Sequence, residues 1–375
     1  MASVLVSAAR FRSMVVNRRW DVEKLARELD TQADLVALTR ADAELTMRDL
    51  ELLAKRFKRP WPYLLIDEEE RFPSLGQDHR TFFNQATNAP PELLAELEGA
   101  LQTLSAAIEL FPEERVETPL EQLSAGLSAE RLGEIVRSFL HISDDEQRQQ
   151  PDDYASLRMW VAALESRGVY VSQRHLGDPA IRAFSKLEEN QAIVVVDTTD
   201  TPYARCFSLL HEYAHILLRS TGICDFDQQV EIERFCNQVS ASALLPINLL
   251  SRELGVWFPG QDDDADDFKL RQLSERLRVS QAALLIRLQQ AGWISEAAYN
   301  SMEQRRRGRR PQERDRGGTY YPPVINRAGR KFSRNVFRAM DEGVLNRADV
   351  AMLLGINEHI VPRYRGELLG HGGTT

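Results

Sequence analysis

Two histidines and a glutamate at helical spacing give the clearest chemical signal in the chain. His211 and His215 are four residues apart, so on a helix their imidazoles lie one turn apart on the same face and can share one metal ion. Imidazole nitrogen is a common ligand of Zn²⁺. Glu212 lies between them, where its carboxylate can take the proton of a water that zinc has acidified. This H-E-x-x-H pattern predicts a catalytic zinc site with Glu212 as the general base.

A third protein ligand is expected, because a catalytic zinc usually has three and keeps one position open. The next predicted helix supplies two carboxylates, Glu231 and Glu233. They are two residues apart and point to different sides of the helix, so only one of them can face the metal. Glu233 shares a face with Asn237, whereas Glu231 shares a face with Phe235. We therefore predict Glu233 as the third ligand and Asn237 as an amide that orients the site.

Two predicted helices and three predicted strands must position these side chains. Apolar residues at helical spacing predict one helix over 203–220 and another over 228–245. The first helix has an apolar backing formed by Phe207, Leu210, Ala214, Leu217 and Leu218. Short β-like runs precede it at 169–173, 180–186 and 192–197. We expect the last run, AIVVVD, to be an edge strand that bounds a substrate cleft.

The two helices resemble the matching segments of the ImmA/IrrE family of metallo-endopeptidases. In the first helix, the residues that agree with the family are Arg205, Phe207, Ser208, His211, Glu212, His215 and Leu218. In the second helix they are Glu233, Asn237, Leu244, Leu245 and Pro246, with Ser240 where the family usually has alanine. The resemblance covers roughly residues 130–255.

This resemblance implies a fold, a ligand set and a substrate class. The fold would be α+β and mostly helical, with a zincin-like core made of a short three-stranded sheet, the histidine helix and the glutamate helix. His211, His215 and Glu233 would bind Zn²⁺, and Glu212 would act as the general base. The substrate would be a partner transcriptional repressor, cut in stress response or in the regulation of mobile elements.

The first 75 residues are similar to the helix-turn-helix domain of the XRE type that longer family members have. The segment 22–66 has this arrangement, but Thr39-Arg40-Ala41-Asp42 replaces the usual Trp-Glu-x-Gly turn. Basic residues concentrate here: Arg10, Arg12, Arg18, Arg19, Lys55, Arg56, Lys58 and Arg59. One interpretation is that the second helix of the pair enters the DNA major groove. The other is a helical domain that binds protein or only packs.

Five segments are predicted along the chain. They are an XRE-like domain (1–75), a zinc peptidase core (76–255), a helical module of helix-turn-helix shape (256–302), an Arg-rich linker (303–318) and a helical C-terminal segment (319–375). We interpret the module at 256–302 as a packing unit rather than a second DNA reader. In the last segment, helices are predicted over 332–345 and 347–356.

The composition limits the remaining function classes. The 375 residues include 47 Lys and Arg against 56 Asp and Glu, a net charge of -9, which argues against a chain coated in nucleic-acid-binding charge. Three cysteines are too few for a disulfide framework and favour the reducing cytoplasm. No apolar run approaches the about 20 residues of a membrane helix. We expect a cytoplasmic protein with no membrane partner.

Several alternatives stay open at this level. The chain could be a DNA-binding regulator that uses the peptidase fold as a sensor or docking platform, or a component of a toxin–antitoxin or phage-defence system. Tyr203 or another tyrosine could stabilise the oxyanion. Cys206 and Cys236 are interpreted as buried structural thiols. The oligomeric state is not predicted.

Overall fold

The computed structural model describes the chain in two compact units. The described residues are 3–17, 20–29, 31, 33–57, 61–69, 91–119, 126–178, 181–221, 229–257, 267–307 and 321–370. The first unit comprises Met1–Phe111, His175–Pro179 and Tyr321–Thr375, and the second comprises Pro112–Arg174 and Ala180–Tyr320. This division differs from the five predicted segments, because the N-terminal and C-terminal parts of the chain share one unit.

The N-terminal part of the first unit combines short helices with a two-stranded sheet. Its elements are β1 (Ser3–Val6), α1 (Ala8–Asn17), α2 (Val22–Leu29), α3 (Leu35–Leu38), β2 (Ala43–Thr46), α4 (Met47–Phe57), a 3-10 helix (Trp61–Leu65) and α5 (Pro91–Leu110). β1 and β2 pair antiparallel, with Ser3 opposite Thr46. The sequence predicted only helices here. It also predicted α5 as part of the peptidase core, whereas α5 lies in the first unit.

Three helices and a sheet begin the second unit. The helices are α6 (Ala129–Phe139), α7 (Asp144–Arg148) and α8 (Asp153–Ser166), and the strands are β3 (Val169–Arg174), β4 (Ala183–Glu188) and β5 (Gln191–Asp197). Each helix begins at a residue whose side chain accepts a hydrogen bond from the first turn: Ser128, Ser143 and Asp152.

The sheet has the order β3–β5–β4. β3 runs parallel to β5, with Val169 opposite Ala192, and β4 runs antiparallel to it, with Ala183 opposite Val196. The expectation that 192–197 forms an edge strand is therefore wrong: β5 is the central strand and β4 lies at the edge. The physical reason is visible in its composition, since all seven residues of β5 are buried and an edge strand seldom is so apolar.

Six further helices lie in the described part of the second unit. They are α9 (Pro202–Thr221), α10 (Gln229–Leu244), α11 (Ile247–Trp257), α12 (Asp267–Leu277), α13 (Gln281–Gln290) and α14 (Glu296–Arg307). Arg287 of α13 is 1% exposed and donates to the Leu245 carbonyl at 2.7 Å and to Glu130. The predicted module at 256–302 thus shares a hydrophobic core with α9 and α10. The first residues of the predicted linker, 303–307, continue α14, and the rest, 308–318, lies outside the described residues.

The C-terminal part of the first unit is a small helical bundle. Its helices are α15 (Tyr321–Ala328), α16 (Arg330–Asp341), α17 (Arg347–Leu354) and α18 (Val361–Gly370). The two predicted helices correspond to α16 and α17. The sequence missed α15 and α18, which contain prolines in the first turn, where proline is tolerated. Of the helices described, none combines the length and apolarity that crossing a bilayer requires.

Candidate metal centre

Helix α9 presents the two histidines on a partly exposed stripe of an otherwise buried helix. Tyr213, Ala214, Ile216 and Leu217 are buried in the core of the second unit, whereas His211, Glu212 and His215 keep partial exposure. The helix is fixed at its start by Arg205, which donates to the carbonyls of Asp200 and Thr198 and to Gln173. These contacts set both the position of α9 along the sheet and its rotation. His211 and His215 lie one turn apart on this helix, and their Nε2 atoms are 3.1 Å apart.

Helix α10 brings the third side chain to the same point. Glu233 Oε2 lies 3.2 Å from His211 Nε2, and Glu233 Oε1 lies 3.3 Å from His215 Nε2. Zinc bonds of about 2.0–2.1 Å at a tetrahedral angle place ligand atoms about 3.3–3.4 Å apart. Each observed separation is close to this value, although the two contacts of Glu233 use different carboxylate oxygens. With one ligand atom taken from each residue, the three atoms lie within 4.8 Å of one another, so the three side chains could hold one ion. Among the described residues, no other group of three His, Cys, Asp or Glu side chains converges in this way.

The position of α10 depends on close packing against α6. A Cβ atom added at Gly133 of α6 would lie 2.5 Å from the Ser242 Cβ atom and 2.9 Å from backbone atoms of Val239 and Ala243. Only a glycine lets the two helix backbones approach this closely. Because Glu233 lies two turns before this contact on the same helix, the contact also fixes the distance between Glu233 and the histidines.

The electrostatics of the cluster favour a positive charge at its centre. Burial acts to lower the pKa of His211, but the hydrogen bond to Glu233 and the charges of Glu212 and Glu233 outweigh it, so the pKa is raised. Hydrogen bonds from His211 and His215 hold the pKa of Glu233 well below its usual range. The nearby Asn237 amide also contributes to the raised pKa of His211. The two imidazoles and the carboxylate together stabilise a bound proton, and the same three groups are suited to bind a metal cation.

Glu212 has a partner that the sequence analysis missed. The Ser185 hydroxyl of β4 donates a hydrogen bond of 2.7 Å to Glu212 Oε2. The two residues are 27 positions apart, so only the pairing of β4 and the packing of α9 bring them together. The signal in the sequence is a single hydroxyl within the β-like run AIRAFSK. That run predicts a strand, but it does not say what the hydroxyl contacts.

The other sequence candidates lie outside the cluster. Tyr203 accepts a hydrogen bond from Arg278 at 3.3 Å, and it precedes His211 by eight residues, about 12 Å along the helix. A role for Tyr203 or another tyrosine in oxyanion stabilisation stays a prediction. Cys206 and Cys236 are buried, and burial raises the pKa of the Cys206 thiol, so it stays protonated. Glu231 is exposed and is not part of the three-residue cluster.

The comparison with known families is consistent with this geometry. Residues 164–289 match the IrrE N-terminal-like domain. This is a metallopeptidase family whose members are typically zinc-dependent, and the match supports the ImmA/IrrE resemblance for this part of the chain. The matched range contains Ser185, Glu212 and all three ligand candidates, and it ends within α13, beyond the predicted core boundary at 255. It does not include the N-terminal helices. No curated protein sequence matches the chain.

Proposed function

We propose that this chain is a zinc-dependent endopeptidase that cleaves a partner protein, with a transcriptional repressor as the expected substrate. The observation that supports it most is the convergence of His211, His215 and Glu233, whose imidazole Nε2 and carboxylate oxygen atoms make contacts of 3.1–3.3 Å. Glu212 follows His211 on the same helix. A structural cluster of histidines and a carboxylate would explain the hydrogen bonds. It would not explain a second carboxylate held beside them by a buried serine.

The residues of this chain would act in two proton transfers. Zinc held by His211, His215 and Glu233 would acidify a water and polarise the scissile carbonyl. Glu212 accepts the proton of the attacking water and then passes it to the nitrogen of the leaving amine. Both transfers need a free carboxylate oxygen. Ser185 donates to Oε2 of Glu212, so we assign the transfers to Oε1.

The edge of β4 is suited to an extended peptide. The Asp197 N–H donates to the Arg182 carbonyl, so in the antiparallel register the residues at even positions bond to β5. Ala183, Ser185 and Leu187 therefore direct their backbone N–H and C=O groups away from β5. Within the described part of the sheet, no strand pairs with that edge. An extended segment of a substrate can add there as a further strand, which favours cleavage in a linker or loop of the partner.

The substitution Glu212→Gln tests this function. It keeps the shape of the side chain and one oxygen that can accept from Ser185, but it removes the base. Cleavage of fluorescein-labelled casein should therefore fall by about 10²–10⁴-fold while zinc stays near one per chain. Glu231→Gln is the matched control, because it makes the same chemical change on an exposed side chain outside the cluster. Equal cleavage by Glu212→Gln and by the wild type would contradict the mechanism.

The repressor substrate needs a separate test. We expect the zinc-loaded chain to cut a repressor encoded next to it at one site, in a segment that is extended rather than helical. Mass spectrometry of the two fragments would locate the bond. If the chain cleaves casein but leaves the repressor intact, the peptidase activity is supported and the repressor is not its substrate.

A further inference from the structure

One polar side chain interrupts an apolar row on the face of the sheet that packs against α9. The row comprises Ala183, Ser185 and Leu187 of β4 with Ala192, Val194 and Val196 of β5, and all of them except Ser185 are part of the hydrophobic core or packed against it. Ser185 lies opposite Val194 and is 1% exposed. Alanine at this position would continue the row. The serine therefore needs an explanation other than packing.

The hydrogen bond to Glu212 supplies that explanation. Burying a hydroxyl without a partner costs about 1–3 kcal/mol, so a buried serine must have an acceptor. A hydroxyl has a single proton, and the proton of Ser185 goes to Glu212 Oε2 at 2.7 Å. A carboxylate held at one oxygen has lost most of its rotation about the last side-chain bond. Its other oxygen then points in a fixed direction.

We propose that Ser185 is a positioning residue for Glu212: it holds Oε2 so that Oε1 remains turned toward the water that attacks the substrate. This inference rests on the proposed peptidase function. Ser185 itself touches neither the metal ligands nor the reacting atoms, so its effect is exerted through Glu212 alone.

The backbone of the same residue links this role to the substrate. The N–H and C=O groups of Ser185 point to the free edge of β4, by the register described above. A peptide that pairs with this edge is aligned against the backbone of Ser185, while the base is aligned by its side chain. One strand residue thus sets the position of the base relative to the scissile bond. Pre-organisation of this kind is expected to affect the chemical step more than binding.

The test compares Ser185→Ala, Ser185→Thr and Ser240→Ala in the full zinc-loaded chain. Ser240 is the matched control, because its buried hydroxyl donates to the Cys236 carbonyl on α10 and not to Glu212. With fluorescein-labelled casein, we expect Ser185→Ala to lower kcat about 10–100-fold with KM within about twofold. Threonine keeps the hydroxyl and suits a strand, so Ser185→Thr should restore most of kcat. Ser240→Ala should behave like the wild type.

A second readout does not depend on turnover. A peptide hydroxamate binds a catalytic zinc and gives up a proton that the general base can accept, so its affinity by calorimetry reports the orientation of Glu212. We expect Ser185→Ala to bind it about tenfold more weakly than the wild type and Ser185→Thr to bind it about as well. Metal analysis should find about one zinc per chain in every variant.

The outcomes separate this inference from the proposed function. If Ser185→Ala matches Ser240→Ala in both kcat and hydroxamate affinity while the wild type is active, Ser185 has no positioning role. If Ser185→Ala loses its zinc, the serine acts on the fold of the site and the inference is also wrong. A wild-type chain that binds zinc but neither cleaves casein nor binds the hydroxamate overturns the proposed function, and the inference with it.

Discussion

Two helix pairs in this molecule each resemble a functional motif, and their structures differ in kind. In the pair α9 and α10, the atoms that the motif requires to meet do meet, at 3.1–3.3 Å. In the pair α2 and α3, the second helix is a single turn, and its Leu35 and Leu38 are buried. The pair α9 and α10, the candidate metal pair, therefore presents its motif residues to a common point, whereas much of the short N-terminal pair is used in packing.

Several basic residues of the N-terminal domain are also used in packing rather than presented at a common site. Arg10 is 6% exposed, with its guanidinium 4.7 Å from the centre of the Tyr63 ring. Arg56 lies over Trp20 at 4.6 Å and pairs with Glu28 at 3.2 Å. Lys55 is exposed. A count of basic residues does not say which of them face outward, while a ligand motif states which side chains must converge. DNA binding by this domain remains a prediction.

The largest expected effect follows from removing one ligand of the convergent pair. Glu233→Ala leaves two histidines, and the loss of zinc affinity should exceed the about 10–100-fold that loss of an outer partner costs. Zinc content after dialysis should fall well below one per chain. Glu231→Ala removes an equal charge from an exposed position on the same helix and should keep its zinc. Full zinc retention by Glu233→Ala would mean that the convergence seen here does not form the metal site.

A smaller effect is expected where α6 fixes the metal pair. Gly133→Ala places a Cβ against Ser242 and the α10 backbone, so the helices must move apart, at a cost of about 1–3 kcal/mol. Because Glu233 moves with α10, zinc affinity should fall as well. Gly366→Ala in α18 is the matched control: it meets no atom within 4 Å and should stabilise its helix by about 0.5–1 kcal/mol. Amide hydrogen exchange in α10 and α18 would measure both, and slower exchange in α10 would refute the packing argument.

The parts of this structure that the sequence predicted are local in the chain. The predicted helix over 203–220 corresponds to α9, Pro202–Thr221, because apolar periodicity is set by neighbours within a few turns. The choice of Glu233 over Glu231 as the ligand candidate needs only the helical angle between residues on one helix. Glu233 is the carboxylate that lies with the two histidines, and its role as a ligand stays a prediction. Helix bounds and the relative orientation of i and i+4 side chains follow from the backbone geometry alone.

The parts that it did not predict depend on pairing between distant segments. The order β3–β5–β4 is not contained in any of the three runs, so β5 was expected at the edge. Ser185 and Glu212 meet only because β4 packs beside α9. Arg287 and Glu130 are 157 residues apart, and their contact joins the predicted module at 256–302 to the core. In each case the deciding contact is long-range, and local propensity gives no information about it.

The smallest effect is expected in the N-terminal domain, where a positive side chain can either pack against a ring or face solvent and contact DNA. Arg56→Ala removes the contact with Trp20 and the ion pairs with Glu28 and Glu92. Their loss together should cost about 1 kcal/mol and speed amide exchange in α4 about fivefold. Lys55→Ala, at the neighbouring exposed position, should leave exchange unchanged. If the full chain binds a labelled DNA duplex, Lys55→Ala should weaken this binding and Arg56→Ala should not. The reason is that Lys55 is exposed to solvent, whereas the guanidinium of Arg56 lies over the Trp20 ring. The opposite result would be weaker DNA binding with unchanged exchange in Arg56→Ala. It would show that this arginine contacts a DNA phosphate and that the N-terminal pair is a functional motif, as proposed for α9 and α10.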